Sequence, residues 1–229
     1  MKILAIETST ITGGAAIVED HKLLAEGRLS LKAIHSERLM GLIDFLLKAI
    51  KMTIYDMDYL AVGVGPGSFT GLRVGIATVK GLAYGTGKLV APVSSLEAFA
   101  ANIPFAQDCL ICPMLDAKRH EIYVALYRQG DSGLETVLTE RAARLADIVA
   151  YIDRKTLFIG DGAVVYRSKI EEALGERATF LTGTAMYPSA ANVAFLAMRN
   201  IQTGNIVNAL ELSPQYLRPS EAEIKFGSP

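Results

Sequence analysis

Between Gly63 and Gly85 the chain reads GVGPGSFTGLRVGIATVKGLAYG, and no other segment restricts its fold as tightly. A glycine-rich turn between an apolar strand and a helix, with Arg73 and Lys80 close by, is how many proteins cradle phosphate. Both nucleotide registers fail, however. GxxxxGK[ST] needs a second glycine where Thr70 stands after Gly65, or where Lys80 stands after Gly75. GxGxxG needs its third glycine at Ser68 or Thr70. GPG remains a turn whose backbone N–H groups could face an anion. Inside the expected helix, Gly67, Gly71 and Gly75 recur every four residues, and Ala77, Gly81 and Gly85 form a second row. Each interior glycine costs about 1 kcal/mol relative to alanine. That cost is offset where another backbone must come close, because residues four apart share a face.

Apolar residues exceed what one buried face requires. Leu72, Ile76, Val79 and Ala83 make a stripe of helical period, yet Val74, Ala77, Thr78 and Leu82 leave little polar circumference. Upstream, ERLMGLIDFLLKAIK behaves the same way: Leu39, Ile43, Leu46 and Ile50 would face a core, while Met40, Leu42, Phe45, Leu47 and Ala49 widen the stripe. Two such helices fit a protein partner, and they equally fit burial inside a larger fold.

Around these helices the pattern is α/β. KILAIETS, GGAAIVED and KLLAEGRLSL read as an antiparallel meander, followed by the Ser36-led helix, strand YLAVGVG, the glycine segment, strand KLVAPVS and the short helix SLEAFAANI. The pattern restarts near Pro104. LICPMLDA and HEIYVALYRQG read as strands, then come a polar segment, a helix in ARLADIVAYID, strand TLFIG, a helix in VVYRSKIEEALG and a last helix in SAANVAFLAMRNIQTG. Two lobes are expected, 1–103 and 104–229, with any internal repeat structural rather than visible in the residues. No apolar run reaches the ~18 residues of a membrane helix, so no membrane is expected and the location should be cytoplasmic. A net charge of −1 gives no global field to draw nucleic acid.

Catalytic groups are sparse. The two cysteines, Cys109 and Cys112, lie in an apolar strand-like run and read as core residues rather than a redox or zinc pair. His21, His35 and His120 show no metal-ligand spacing; Lys118, Arg119 and His120 form a small basic turn. Glu7, Asp116 and Asp161 sit at strand ends, where acids can hold hydrated magnesium or simply form turns. No nucleophile has an arranged base.

ILAIETST, HSERLMGLIDFLL, AVGVGPGSFTGLRVGIATVKGLA, VSSLEAFA, LDAKRHEIYVALY, GDGA and YLRP, in this order, resemble the bacterial TsaB family of tRNA threonylcarbamoyladenosine biosynthesis proteins over essentially the whole chain. The resemblance implies a two-lobed actin-like ATPase fold of ribonuclease-H-like sheets. It implies a non-catalytic paralogue of TsaD, once grouped with glycoproteases, that pairs with TsaD through its first two helices. An ATPase, TsaE, joins the pair, and the chain forms homodimers when alone. The complex places threonylcarbamoyl on the adenosine beside the anticodon of tRNAs reading codons that start with A; this chain meets tRNA through the complex. ATP or ADP and a metal are implied on the partner subunits, and no cofactor or metal on this one. TsaD's HxxxH falls here on Ser95-Leu96-Glu97-Ala98-Phe99, so both imidazoles are replaced.

The docking surface expected on this basis comprises His35, Ser36, Arg38, Leu39, Leu42, Ile43 and Leu46 of the first helix with Phe69, Thr70, Leu72, Arg73, Val74, Ile76, Ala77 and Lys80 of the second. A competing reading is an ATP-dependent kinase or ATPase of the actin-like fold, with Glu7, Thr8, Asp116 and Asp161 around a magnesium nucleotide. In that reading Glu7-Thr8-Ser9-Thr10 lacks the glycine usual after an Asp in nucleotide-binding relatives.

Overall fold

The computed structural model describes residues 1–30, 35–103, 105–106, 108–131 and 133–218; the side chains of residues 30 and 35–37 are outside this description. It divides into two units, Met1–Ala98 with Tyr187–Pro214, and Phe99–Met186 with the chain from Gln215.

In the first unit β1 (Lys2–Glu7), β2 (Thr12–Glu19) and β3 (Lys22–Ser30) form the expected antiparallel meander. Helix α1 (His35–Ala49) leads to β4 (Tyr59–Gly65), and α2 (Phe69–Thr86) leads to β5 (Val90–Ser94), which runs into the short α3 (Ser95–Ala100). The sheet order is β3-β2-β1-β4-β5, with β4 parallel to β1 and β5 parallel to β4. Because side chains alternate along a strand, Leu4 and Ile6 join α1 and α2 on one face, packed with Ile43, Leu46, Ile76 and Val79. Ile3 and Ala5 point the other way, into Val193, Ala194 and Ala197. A strand covered on both faces reads as a continuous apolar run, which is why KILAI shows no alternation.

The second unit repeats this topology. Strands β6 (Leu110–Lys118), β7 (Glu121–Gly130) and β8 (Gly133–Ala143) are a meander, and β9 (Thr156–Ile159) and β10 (Ala178–Phe180) add in parallel, giving the order β10-β9-β6-β7-β8. Helices α4 (Leu145–Val149), α5 (Asp161–Val165) and α6 (Arg167–Leu174) belong here; Ile148 and Ile170 pack with Cys112, Met114, Val124 and Phe158 in its core.

Four features depart from the sequence expectation. The polar segment after β7 is a strand, β8, an edge whose burial is slight and whose apolar alternation is correspondingly weak. The helix expected in ARLADIVAYID covers only five residues, and the one expected in VVYRSKIEEALG is broken at Tyr166 into α5 and α6. Finally α7 (Ala190–Gln202), placed by sequence order in 104–229, packs on the first sheet and belongs to the first unit. Among the described residues no helix is long and apolar enough to cross a membrane.

Candidate functional site

Helix α2 starts at Ser68, whose Oγ accepts from the Gly71 N–H at 3.2 Å, and ends at Gly87, whose left-handed backbone (φ 69°) lets its N–H return to the Ala83 carbonyl. Its first glycine row faces the turn after β1. A Cβ added to Gly67, Gly71 or Gly75 would lie under 3.0 Å from Ser9 O, Thr8 O or Thr8 Oγ1 respectively. The absent side chains let Thr8 Oγ1 donate to the Gly71 carbonyl at 2.8 Å and the Ser68 N–H donate to the Ser9 carbonyl at 2.7 Å. The backbone that the glycines approach is therefore the chain's own.

That turn is closed from within as well. The Ser9 N–H donates to Glu7 Oε1 at 2.5 Å and the Thr12 N–H to Thr10 Oγ1 at 3.2 Å, so these two amides are already occupied. Glu7, 1% exposed, also accepts from Ser95 Oγ at 3.0 Å. Its Oε2 fills the space left by the missing Cβ of Gly63. Burial pushes the Glu7 carboxyl above its ordinary value, against the Ser9 and Thr8 amides and the Ser95 hydroxyl that favour the charged form. Glu7 and Thr8 are thus brought together, walled in beneath α2.

Asp116 and Asp161 meet in the second unit. Asp161, first residue of α5, accepts the Asp116 N–H at 3.0 Å. Surrounding protein raises its pKa although the residue keeps exposed surface. Partial burial pushes Asp116 up too, but the Lys118 ammonium at 2.7 Å and the Lys118 N–H outweigh it and hold that carboxyl below its usual value. One acid is neutralised by a lysine and the other is tied to backbone, and among the described residues no group of three or more His, Cys, Asp or Glu could hold a metal ion. The positions matching HxxxH are both interior: Ser95 is bound to Glu7 and Phe99 is core. Cys112 is a core thiol raised by burial, while Cys109 is only half-buried; both are free.

The outward surface of α1 and α2 differs from the expected list. Leu39, Ile43, Leu46, Leu72 and Ile76 are buried in the first unit's own core, a correction that follows from their common face toward β1 and β4. Arg38, Phe69, Thr70, Arg73 and Ala77 face solvent, with Leu42, Val74 and Lys80 half-buried. The His35 and Ser36 side chains lie outside the described residues. Three residues absent from the list belong to this surface: Met40, Phe45 (66% exposed) and Tyr84 (83% exposed). Gly41, Gly81 and Gly85 have open space where a Cβ would stand. The signal for Gly81 and Gly85 was the second row of α2, Ala77, Gly81 and Gly85, and that for Met40 and Phe45 was their widening of the α1 stripe. The Arg73 guanidinium lies 3.9 Å from the centre of the Phe69 ring, a cation–π contact that orients this exposed aromatic.

Comparison with known proteins adds identity to this geometry. A family model described as TsaD, tRNA N6-adenosine threonylcarbamoyltransferase, matches residues 30–226. The chain is 35% identical to the tRNA threonylcarbamoyladenosine biosynthesis protein TsaB of Bacillus subtilis, across 99% of this chain and 98% of that protein. It is 26% identical to the Escherichia coli TsaB, across 97% and 96%. Among solved structures, YeaZ from Pseudomonas aeruginosa superposes with a TM-score of 0.77 at 24% identity, covering 94% of this chain and 99% of that one. The activator of 2-hydroxyisocaproyl-CoA dehydratase from Clostridium difficile, solved with bound ADPNP, gives 0.53 at 9% identity over 94% and 100%. With the two mixed sheets, these likenesses establish the actin-like ATPase fold.

Proposed function

Because the chain belongs to the TsaB family of tRNA threonylcarbamoyladenosine biosynthesis proteins, we propose that it is a non-catalytic subunit that completes and activates a threonylcarbamoyltransferase. The reaction places threonylcarbamoyl on the adenosine beside the anticodon of tRNAs reading codons that start with A. TsaD carries the transfer chemistry, with the metal and nucleotide; TsaE joins as ATPase; this chain has no activity or cofactor of its own, works in the cytoplasm and forms a homodimer when TsaD is lacking.

The observation that carries this reading is the outward face of α1 and α2, where Met40, Phe45, Phe69 and Tyr84 stand exposed and Gly41, Gly81 and Gly85 leave open space where a Cβ would stand. Exposed aromatics at the centre of a patch supply most of an interface's energy. Open glycines allow a facing helix to approach closely, and Arg38, Arg73 and Lys80 supply a cationic rim.

A kinase or ATPase reading fits less well. The turn after β1 is packed against the start of α2, its Ser9 and Thr12 amides are bonded internally, and the Glu7 carboxyl is buried beside it. Reconstituted transfer to tRNA with and without this chain tests the proposal. Activity should require it, and full transfer by TsaD and TsaE in its absence would overturn the reading.

A further inference from the structure

The second unit carries a hollow of about 570 Å³ that the docking face does not involve. It opens between the β6–β7 turn, α4 and α6. His120, Arg144 and Lys169 line it with positive or protonatable groups, against a single carboxylate, Glu172. Leu145, Val149 and Tyr166 supply apolar wall. Arg144 and Lys169 form no ion pair among the described residues; the Lys169 ammonium lies 5.9 Å from the centre of the Tyr166 ring. In a chain whose net charge is −1, this local excess of cations runs against the whole.

The turn beside the hollow points the same way. Lys118 pairs with Glu121, leaving Arg119 and His120 as a two-residue hairpin loop, and Lys118, Arg119 and His120 have φ of 62°, 53° and 64°. Such a loop needs left-handed backbone at both positions and favours Asn-Gly. Non-glycine residues held in that conformation cluster at ligand clamps and switch regions.

We infer that this hollow binds one nucleotide of an RNA strand, its phosphate on Arg144, Lys169 and His120 and its base against Leu145, Val149 and Tyr166. Bases stack on apolar and aromatic walls without sequence preference, while cations track the phosphates. The volume fits, since small-molecule sites begin at about 300 Å³. The inference rests on the proposed role in tRNA modification, which supplies the RNA.

Fluorescence anisotropy of labelled unmodified tRNA against the full chain, repeated across a salt series, tests it. Wild type should bind saturably. R144E/K169E, two exposed positions, should bind at least about tenfold more weakly, with the slope of log affinity against log salt smaller by about 0.7, the share of one phosphate. R119N/H120G should raise Tm, by about 2–4 °C for a chain of this size, yet weaken tRNA binding; a turn with no ligand would gain stability and leave binding unchanged. No saturable binding, or wild-type affinity in R144E/K169E, would overturn the inference. So would displacement of the tRNA by equimolar AMP, which would make the ligand a free nucleotide. Transfer that proceeds without this chain would remove its proposed function and leave the anisotropy result standing.

Discussion

Glycines 71 and 81 lie ten residues apart on one helix and do opposite things. A methyl group on Gly71 would collide with the Thr8 carbonyl, whereas one on Gly81 would meet nothing within 4 Å. Gly71→Ala should therefore lower stability by about 1–3 kcal/mol through overpacking. Gly81→Ala should raise it by up to about 1 kcal/mol, the helix propensity difference; urea midpoints measure both, and equal shifts would refute the assignment. The four-residue spacing was legible in the sequence, but not which row faced inward, because that depends on where the β1 turn comes to rest. Glu7 was legible only as a strand-end acid. Its burial depends on Gly63, 56 residues on in β4, the strand beside β1 in the sheet, and so escapes any local pattern. Raised above an ordinary value near 4.5, its folded-state pKa makes the native protein bind more protons than the unfolded chain in the window above that value. Stability from this group is then full below pH 4.5 and falls as pH rises through the folded pKa. Urea midpoints of wild type relative to Glu7→Gln should decline across that window; a rising difference would show that the amide and hydroxyl bonds outweigh burial.

Helices α1 and α2 illustrate what amphipathic pattern can and cannot convey. Their excess apolar surface was visible, and the structure divides it: Leu39, Ile43, Leu46, Leu72 and Ile76 go to the sheet, while Met40, Phe45, Phe69 and Tyr84 stay outside. The list expected for docking mixed both sides of each stripe: Leu39, Ile43, Leu46, Leu72 and Ile76 satisfy the nearest core, whereas Arg38, Phe69, Thr70, Arg73 and Ala77 face solvent. Outward apolar positions follow no core of their own, so only the packed fold separates them. Phe45→Glu changes a residue that is 66% exposed and should leave the urea midpoint within about 0.5 kcal/mol of wild type, as surface substitutions do. In a titration against TsaD the same substitution should weaken binding by at least about 2 kcal/mol, the loss typical of an interface anchor. Wild-type affinity would move the docking surface elsewhere.

At the scale of the whole molecule, the two units share one topology, a meander followed by two parallel strands, and the sequence showed the restart near Pro104 without showing the duplication. What it hid was the return of α7. Ser189 caps that helix by accepting from the Asn192 N–H at 3.3 Å and donates to Glu26 of β3 at 2.7 Å. Asn200 Nδ2 donates to the Pro92 carbonyl at 2.7 Å, and Asn192 Nδ2 to the Ala98 carbonyl at 3.2 Å. Those bonds pin α7 along the first sheet, over Ile3, Ala5, Val18, Ala61, Ala91 and Val93, a face to which the short α3 adds only Ala98. A contiguous fragment 1–103 consequently lacks the cover for one side of its sheet. It should associate or stay partly unfolded, since an apolar sheet face of this extent is unstable in water. Supplying residues 187–214 on a short linker after residue 98 should restore a cooperative thermal transition and a monomeric light-scattering mass. If 1–103 alone melts cooperatively as a monomer, α7 is dispensable for that sheet, and the first unit would have to be redrawn without it.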